Sequence, residues 1–204
     1  MIIVGLTGGI GCGKSEVCRM LGELGARIID ADTMAKQISE TNEQVKAELK
    51  ACFGNDIYLA DGKLDRAKLG RIIFSDETAR LRINQIVHPY VIKEIDKEIE
   101  RCRRLGQWPV VVVEAALIYE AGVADKFDYV VVVSAPAETV MERLSKRDRL
   151  SRQEIRDRIQ SQLPLEIKEK KAHYVLRNEG DLSELREKVA QLYRWLVSKH
   201  KEDL

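Results

Sequence analysis

Residues 1–15 read MIIVGLTGGIGCGKS, and the order of their patterns predicts the type of fold. Residues 2–6 form a continuous apolar run that is typical of a buried strand. Residues 8–15 (GGIGCGKS) match the pattern G-x-x-x-x-G-K-[S/T]. Apolar residues then recur at helical spacing from Val17 to Leu24, and Gly25 stands where a C-terminal cap is expected. A strand, a glycine-rich turn and a helix in this order identify a phosphate-binding loop, or P-loop.

The chemistry of this loop follows from its residue types. Glycines let the backbone curl so that N–H groups point at phosphate oxygens, and the helix N-terminus adds partial positive charge. Lys14 is predicted to reach the β- and γ-phosphates of a nucleoside triphosphate, and Ser15 to give its hydroxyl to Mg²⁺. An incidental lysine in a glycine-rich turn is the alternative, which the strand and helix context disfavours.

Four further apolar runs predict the rest of an α/β fold. Continuous Val and Ile runs are typical of strands covered by helices on both faces, so we expect a parallel five-stranded sheet flanked by helices. The additional strands are predicted at 26–30, 110–115, 129–134 and, more weakly, 173–177.

Two stretches are too long for simple connections between strands. The first contains helical patterns at 43–52, 65–74 and 77–103, which predicts an inserted helical subdomain at about 33–108. The second is polar and arginine-rich, and it predicts a mobile lid at about 143–171, with Ser151 and Glu154 in capping-box spacing. The remaining core covers about 1–32, 109–142 and 172–204, within one P-loop domain.

Composition narrows the function classes. Of 204 residues, 45% are apolar and 33% charged, which is typical of a globular protein, and no apolar run approaches the length of a membrane span. With 34 basic and 33 acidic residues, net charge gives no argument for nucleic-acid binding. The N-terminus has no basic n-region, so we predict a first strand and a cytoplasmic protein. The four cysteines form no C-x-x-C pair, which argues against a zinc site or a disulfide framework.

The second strand ends in Asp30-Ala31-Asp32. In parallel sheets the carboxyl ends of the strands line the ligand crevice, so these carboxylates could orient an acceptor hydroxyl and take its proton. Alternatively, Asp32 is the N-cap of a helix that begins near Thr33, and Asp30 holds a turn. Spacing alone leaves both interpretations open.

Arginines mark the predicted lid. Arg143 and Arg147 lie four residues apart on one predicted helix, as expected for guanidinium groups that contact a transferring phosphoryl group. Acidic residues interleave with the others, for which surface ion pairs are the favoured interpretation. These others are Arg149, Arg152, Arg156 and Arg158.

Several motifs together resemble the dephospho-CoA kinase family. They are LTGGIGCGKS at 6–15, DAD at 30–32, LDRAKLGRIIFSD at 64–76, IVHP at 86–89 and RLSKR at 143–147. The resemblance covers nearly the whole chain, as far as Ser161-Gln162 and Asn178-Glu179-Gly180. It implies ATP- and Mg²⁺-dependent phosphorylation of the ribose 3′-hydroxyl of dephospho-CoA, the last step of CoA synthesis. It also implies that the helical insertion binds CoA. Oligomeric state stays open, with a monomer as the expectation.

The resemblance also assigns roles to residues. Asp32 would be the base or would position the hydroxyl, with Lys14, Arg143 and Arg147 as the other catalytic groups. His88 and Pro89 would belong to the acceptor side. Without the family, His88 beside a proline would be interpreted as a helix-start or core histidine, because a lone histidine is weak evidence of function. The nucleotide-binding residues would be Gly9, Gly11, Cys12, Gly13, Lys14, Ser15 and Glu16.

The chain departs from the family pattern at four positions. Glu16 replaces the usual Thr, Ala116 a Pro, and Val140 a Gln. Glu114 replaces an Asp where a Walker-B-like carboxylate would hold a metal-bound water, so its longer side chain leaves the geometry open.

Two other function classes compete. Another small-molecule or nucleoside monophosphate kinase would share this scaffold. A GTPase-type switch would need a guanine-reading N-K-x-D motif, which the sequence lacks; Asn178 is followed by Glu-Gly-Asp.

Overall fold

The computed structural model describes residues 1–148 and 151–202, apart from five side chains. Those side chains belong to Phe74, Ser75, Arg147, Asp148 and Glu202. All strands of the sheet run parallel, in the order β2-β3-β1-β4-β5. They are β1 (Ile2–Gly8), β2 (Arg27–Asp30), β3 (Val110–Glu114), β4 (Tyr129–Ser134) and β5 (Tyr174–Arg177). The predicted parallel five-stranded sheet is therefore confirmed.

Helices connect the strands and make up most of the remaining chain. They are α1 (Lys14–Glu23), α2 (Ala31–Thr41), α3 (Glu43–Phe53), α4 (Arg66–Ser75), α5 (Glu77–Leu105), α6 (Ala137–Asp148), α7 (Arg152–Gln160), α8 (Leu165–Lys171) and α9 (Leu182–Glu202). Short 3₁₀ turns span Asn55–Ile57 and Ala124–Lys126. Within the described residues, none of the helices is both long enough and apolar enough to cross a membrane.

The chain divides into two compact units. The first consists of Met1–Asp30 and Glu98–Leu204, and the second of Ala31–Lys97. The insertion at about 33–108 and the lid at about 143–171 stay predictions.

The first unit holds the sheet and its main core. Fully buried residues of β1, β3 and β4 pack with α1 and α9, including Leu6, Val17, Val112, Val131 and Leu192. Burial of such side chains stabilises the fold by about 1.5–3 kcal/mol each. The predicted cap of α1 is confirmed: Gly25 has φ 104°, and the N–H of Ala26 donates to the carbonyl of Leu21.

The second unit is helical, with α2, α3, α4 and most of α5. Side chains of Asn42 and Asp65 accept hydrogen bonds from the first turns of α3 and α4, so each is an N-cap. The hydroxyl of Tyr58 donates to the carbonyl of Ser39 in α2, at 2.8 Å. Val45, Leu49 and Ile57 are fully buried and form a small core of this unit.

Candidate active site

The P-loop connects β1 to α1 and owes its shape to glycines. Gly11 and Gly13 have φ of 75° and 93°, which disfavour residues with a Cβ. A Cβ at Gly13 would also lie 2.4 Å from Nδ2 of Asn178. That Nδ2 donates to the carbonyl of Cys12 at 2.9 Å in a buried hydrogen bond. Close approach between Asn178 and the loop thus fixes the backbone whose N–H groups would face phosphate.

Lys14 is the first residue of α1. Its Nζ lies 3.3 Å from the carbonyl oxygen of Gly8 and 3.2 Å from that of Gly9, so the side chain lies along the loop that precedes it. Cys12 is buried in the same loop, where burial raises the pKa of its thiol and the positive charge of Lys14 opposes this. The ammonium of Lys14 therefore places a positive charge beside the loop at the start of the helix.

Ser15 and Glu114 meet at the carboxyl end of the sheet. The Ser15 hydroxyl donates to Oε1 of Glu114 at 2.8 Å, and Glu114 is 7% exposed. In the sheet, Glu114 lies beside Leu6 of β1 on one side and Asp30 of β2 on the other. Despite its extra methylene, Glu114 therefore reaches the hydroxyl predicted to bind metal. Glu114 also affects Cys18: burial, followed by the charge of Glu114, raises the pKa of the Cys18 thiol far above its usual range.

These two oxygen donors fit Mg²⁺. The described residues contain no cluster of three or more His, Cys, Asp or Glu that could hold a metal ion. Mg²⁺ is commonly bound by one or two protein oxygens together with substrate phosphates and waters, so a full protein cage is not required.

Arg143 on α6 brings a second cation to the P-loop. Its Nη2 lies 3.5 Å from Oδ1 of Asn178, whereas Nη1 is buried and has no hydrogen-bond partner among the residues that the structure describes. A buried donor without a partner costs free energy, and an anionic ligand would relieve that cost. The helix also contains Arg147, whose side chain lies outside the described part of the structure, as does all of Arg149. Arg152 and Arg156 are exposed, as expected for surface residues.

Two cavities adjoin this cluster. One of about 560 Å³ is lined by the P-loop and by Lys14, Ser15 and Arg143. Another of about 830 Å³ shares Gly13, Glu16 and Arg143 and continues along Asn178 to the start of α9. Volumes of this size are typical of small-molecule sites. The half-buried Glu16 is paired with Arg19 at 2.5 Å, and that hydrogen bond lowers the pKa of Glu16.

Asp32 is the second residue of α2, within its first turn. The interpretation that it caps a helix beginning near Thr33 is wrong, because the helix begins at Ala31, directly after β2. A carboxylate in the first turn still interacts favourably with the helix dipole.

His88 and Pro89 lie in the middle of α5, so the interpretation of His88 as a helix-start residue is also wrong. Burial lowers the pKa of His88, and the charge of Asp32 partly opposes this. Since Pro89 has no N–H, it removes one hydrogen bond from the helix interior. Asp32 and His88 both belong to the second unit.

Sequence reasoning gave no site role to two residues that the structure brings to the loop. Asn178 directly follows β5, and Gln162 accepts a hydrogen bond from the N–H of Ile10 at 3.1 Å. The position of Asn178 after a predicted parallel strand was the signal that could have identified it. Val140 has a packing role: it is 5% exposed and would lie 3.1 Å from a Cβ at Gly11.

Comparison with known proteins identifies close relatives. A family model described as dephospho-CoA kinase matches residues 2–184. A dephospho-CoA kinase of Geobacter sulfurreducens is 41% identical over 193 residues, which cover 95% of this chain and 98% of the relative.

Solved structures agree with this. A dephospho-CoA kinase from Campylobacter jejuni is 25% identical, with a TM-score of 0.70 and coverage of 97% of this chain and 98% of its own. A shikimate kinase from Acinetobacter baumannii is 15% identical, with a TM-score of 0.56 and coverage of 98% and 94%; it supports the P-loop fold alone.

Proposed function

The chain belongs to the dephospho-CoA kinase family, and we propose that it transfers the γ-phosphoryl group of ATP to the ribose 3′-hydroxyl of dephospho-CoA. The products are CoA and ADP, and the reaction is the last step of CoA synthesis. The observation that carries the proposal is the hydrogen bond between Ser15 and Glu114 beside the P-loop lysine. It joins the hydroxyl and the carboxylate that a P-loop kinase needs near its β- and γ-phosphates.

The first unit supplies the donor side. Backbone N–H groups of the loop and the ammonium of Lys14 bind the β- and γ-phosphates, and Arg143 offers its unpartnered Nη1 to the phosphates. The larger cavity, which extends from Gly13 past Asn178, holds the nucleoside. Gly9, Gly11 and Cys12 complete the loop, Glu16 lines both cavities, and Arg147 acts with Arg143.

Ser15 and Glu114 are proposed to hold Mg²⁺, Glu114 through a water. Mg²⁺ bound there would neutralise negative charge on the β- and γ-phosphates. Because a hydrogen bond of 2.8 Å joins their oxygens, the two side chains are held near each other. Preorganised groups of this kind require little rearrangement during the reaction.

The second unit supplies the acceptor side. Asp32 orients the acceptor hydroxyl and accepts its proton, while His88 and Pro89 contribute to binding of dephospho-CoA. A neutral His88, favoured by burial, can donate or accept a hydrogen bond without adding charge beside Asp32. The helical insertion binds the CoA portion, the lid closes over the nucleotide, and the chain acts as a monomer in the cytoplasm.

The experiment is incubation of the purified protein with ATP, Mg²⁺ and dephospho-CoA, with CoA and ADP measured together. We expect one CoA for each ADP. CoA itself should accept nothing, because its 3′-hydroxyl is already phosphorylated. Equal phosphorylation of AMP or a free nucleoside would instead favour the monophosphate-kinase alternative.

A further inference from the structure

Lys168 on α8 is buried completely, with 0% of its surface exposed. Among the side chains that the structure describes, it is the only buried lysine or arginine. Removal of an ammonium group from water is costly unless it is paired and hydrogen-bonded, and an apolar side chain of similar volume would avoid that cost. A cation at this position therefore depends on the groups that contact it.

Two oxygens contact the Lys168 ammonium. Nζ donates to the carbonyl of Ala116 at 2.9 Å and pairs with Oε1 of Glu120 at 2.8 Å. The same Glu120 oxygen accepts the N–H of Leu163 at 2.8 Å. The side chain of Glu120 is 20% exposed, so Lys168 is the more deeply buried partner. All these contacts lie in the first unit.

Ala116 follows Glu114 by two residues, at the exit of β3. Between them, the N–H of Ala115 donates to the carbonyl of Leu6 at 3.0 Å. The carbonyl of Ala116 accepts from Lys168 and also from the hydroxyl of Thr7 in β1, at 3.1 Å. The chain is thus fixed immediately after the carboxylate that contacts Ser15.

The segment 162–168 also holds the P-loop. Oε1 of Gln162 accepts the N–H of Ile10 at 3.1 Å, and Lys168 contacts the exit of β3 six residues later. One short segment therefore contacts both the loop that carries Ser15 and the chain that carries Glu114.

We propose that Lys168 is a positioning residue that holds the exit of β3 so that Glu114 stays against Ser15. The inference rests on the proposed function, in which these two side chains hold Mg²⁺. Lys168 contacts neither of them, and its effect passes through the carbonyl of Ala116. Loss of an outer partner of a metal ligand typically reduces metal affinity or activity by about 10- to 100-fold.

The test measures binding of a non-hydrolysable ATP analogue by calorimetry, with EDTA and then with Mg²⁺, in the absence of acceptor. Lys168→Met keeps most of the side-chain volume and removes the donor. We expect its affinity in EDTA to equal that of the parent protein, and the gain in affinity on adding Mg²⁺ to fall by roughly tenfold. Lys170→Met is the matched control, an exposed lysine on the same helix, and should keep the full gain.

Other outcomes decide against the inference. An unchanged gain with Mg²⁺, or an equal loss in EDTA and in Mg²⁺, would show that Lys168 only stabilises the fold. If Lys168→Met lacks a cooperative melting transition, Thr7→Val removes the other donor to the same carbonyl and should reduce the gain in the same direction; an unchanged gain there overturns the inference. A parent protein that binds the analogue without any gain from Mg²⁺ would overturn the metal assignment and this inference with it. If the parent protein and the variants gain the same affinity on adding Mg²⁺, the role of Lys168 is rejected while the metal assignment stands.

Discussion

In the first unit, hydrogen bonds between residues far apart in sequence hold the candidate nucleotide site together, whereas in the second unit local hydrogen bonds cap α3 and α4. Ser15 and Glu114 are 99 residues apart, and Asn178 and Cys12 are 166 apart. The caps Asn42 and Asp65 instead bind N–H groups within three residues of themselves. The difference indicates that the candidate donor site depends on the tertiary fold of the first unit. Substitutions there should change nucleotide binding, and those in the second unit should change the chemical step.

Asp32→Asn provides the largest expected contrast between the units. Removal of the carboxylate should lower kcat by roughly 10²- to 10⁴-fold, the usual range for general-base assistance. Affinity for ATP should stay unchanged, since the first unit binds the triphosphate. Because Asp32 lies in the first turn of α2 and not at its N-cap, the substitution should lower stability by only about 0.3–1 kcal/mol, its interaction with the helix dipole.

The matched control for Asp32→Asn is Glu43→Gln, which removes a carboxylate from the first turn of α3. It should show a similar small loss of stability and normal kcat. Measurement of kcat, ATP affinity and melting temperature for both variants separates the two roles. Near-normal kcat in Asp32→Asn would make Asp32 structural and shift the acceptor role to Asp30, which ends β2.

Lys14→Ala tests the donor side. Loss of one preorganised charged donor should reduce kcat by roughly 10²- to 10³-fold and should weaken ATP binding as well. This joint effect on binding and turnover is what distinguishes it from Asp32→Asn. Lys201→Ala, an exposed lysine at the end of α9, is the control and should behave as the parent protein. Parent-like turnover by a folded Lys14→Ala would contradict the P-loop assignment.

Asn178→Ala tests whether the long-range hydrogen bond shapes the P-loop. The change leaves the buried carbonyl of Cys12 without its donor, which costs about 1–3 kcal/mol of stability. We expect ATP affinity to fall about tenfold, the equivalent of about 1.4 kcal/mol, with kcat at saturating ATP nearly unchanged. Its exposed neighbour provides the control Glu179→Ala. A loss of stability with full ATP affinity would show that the hydrogen bond supports the fold without shaping the loop.

The same contrast explains what the sequence could predict. The strands and the P-loop were predicted because apolar runs and G-x-x-x-x-G-K-S are contiguous patterns with local physical causes. The Ser151 and Glu154 capping box was found for the same reason, and the structure contains both of its hydrogen bonds. Glu114 was placed near the metal position only through family resemblance.

Contacts that depend on the tertiary fold could not be read from the sequence. Lys168 looks like one basic residue among several in a polar stretch, and no spacing rule shows that it faces Ala116, 52 residues away. The start of α2 was predicted two residues late, because Asp is a favourable N-cap and Ala31 gives no start signal. The sequence alone leaves His88 as a helix-start or core histidine, the first because proline commonly occupies the first turn of a helix, whereas Pro89 lies inside α5.

His88→Gln gives the smallest expected effect, on the pH dependence of stability in the second unit. Burial lowers the pKa of His88 below its ordinary value of about 6.5, so the folded protein favours the neutral ring. Between the folded and unfolded pKa values, the unfolded chain binds more protons, and the free energy of unfolding therefore rises with pH. As pH falls from about 7 through the folded pKa, the parent protein should lose stability that His88→Gln does not lose.

Melting curves of the parent protein and of His88→Gln from pH 8 to pH 5 should thus diverge on the acidic side. Only the difference between the two proteins is diagnostic, because carboxylates titrate in both. The charge of Asp32 opposes the shift, so Asp32→Asn should widen the divergence. Parallel curves would mean that His88 titrates alike in both states, and would remove the reason to regard it as a neutral hydrogen-bonding group beside Asp32.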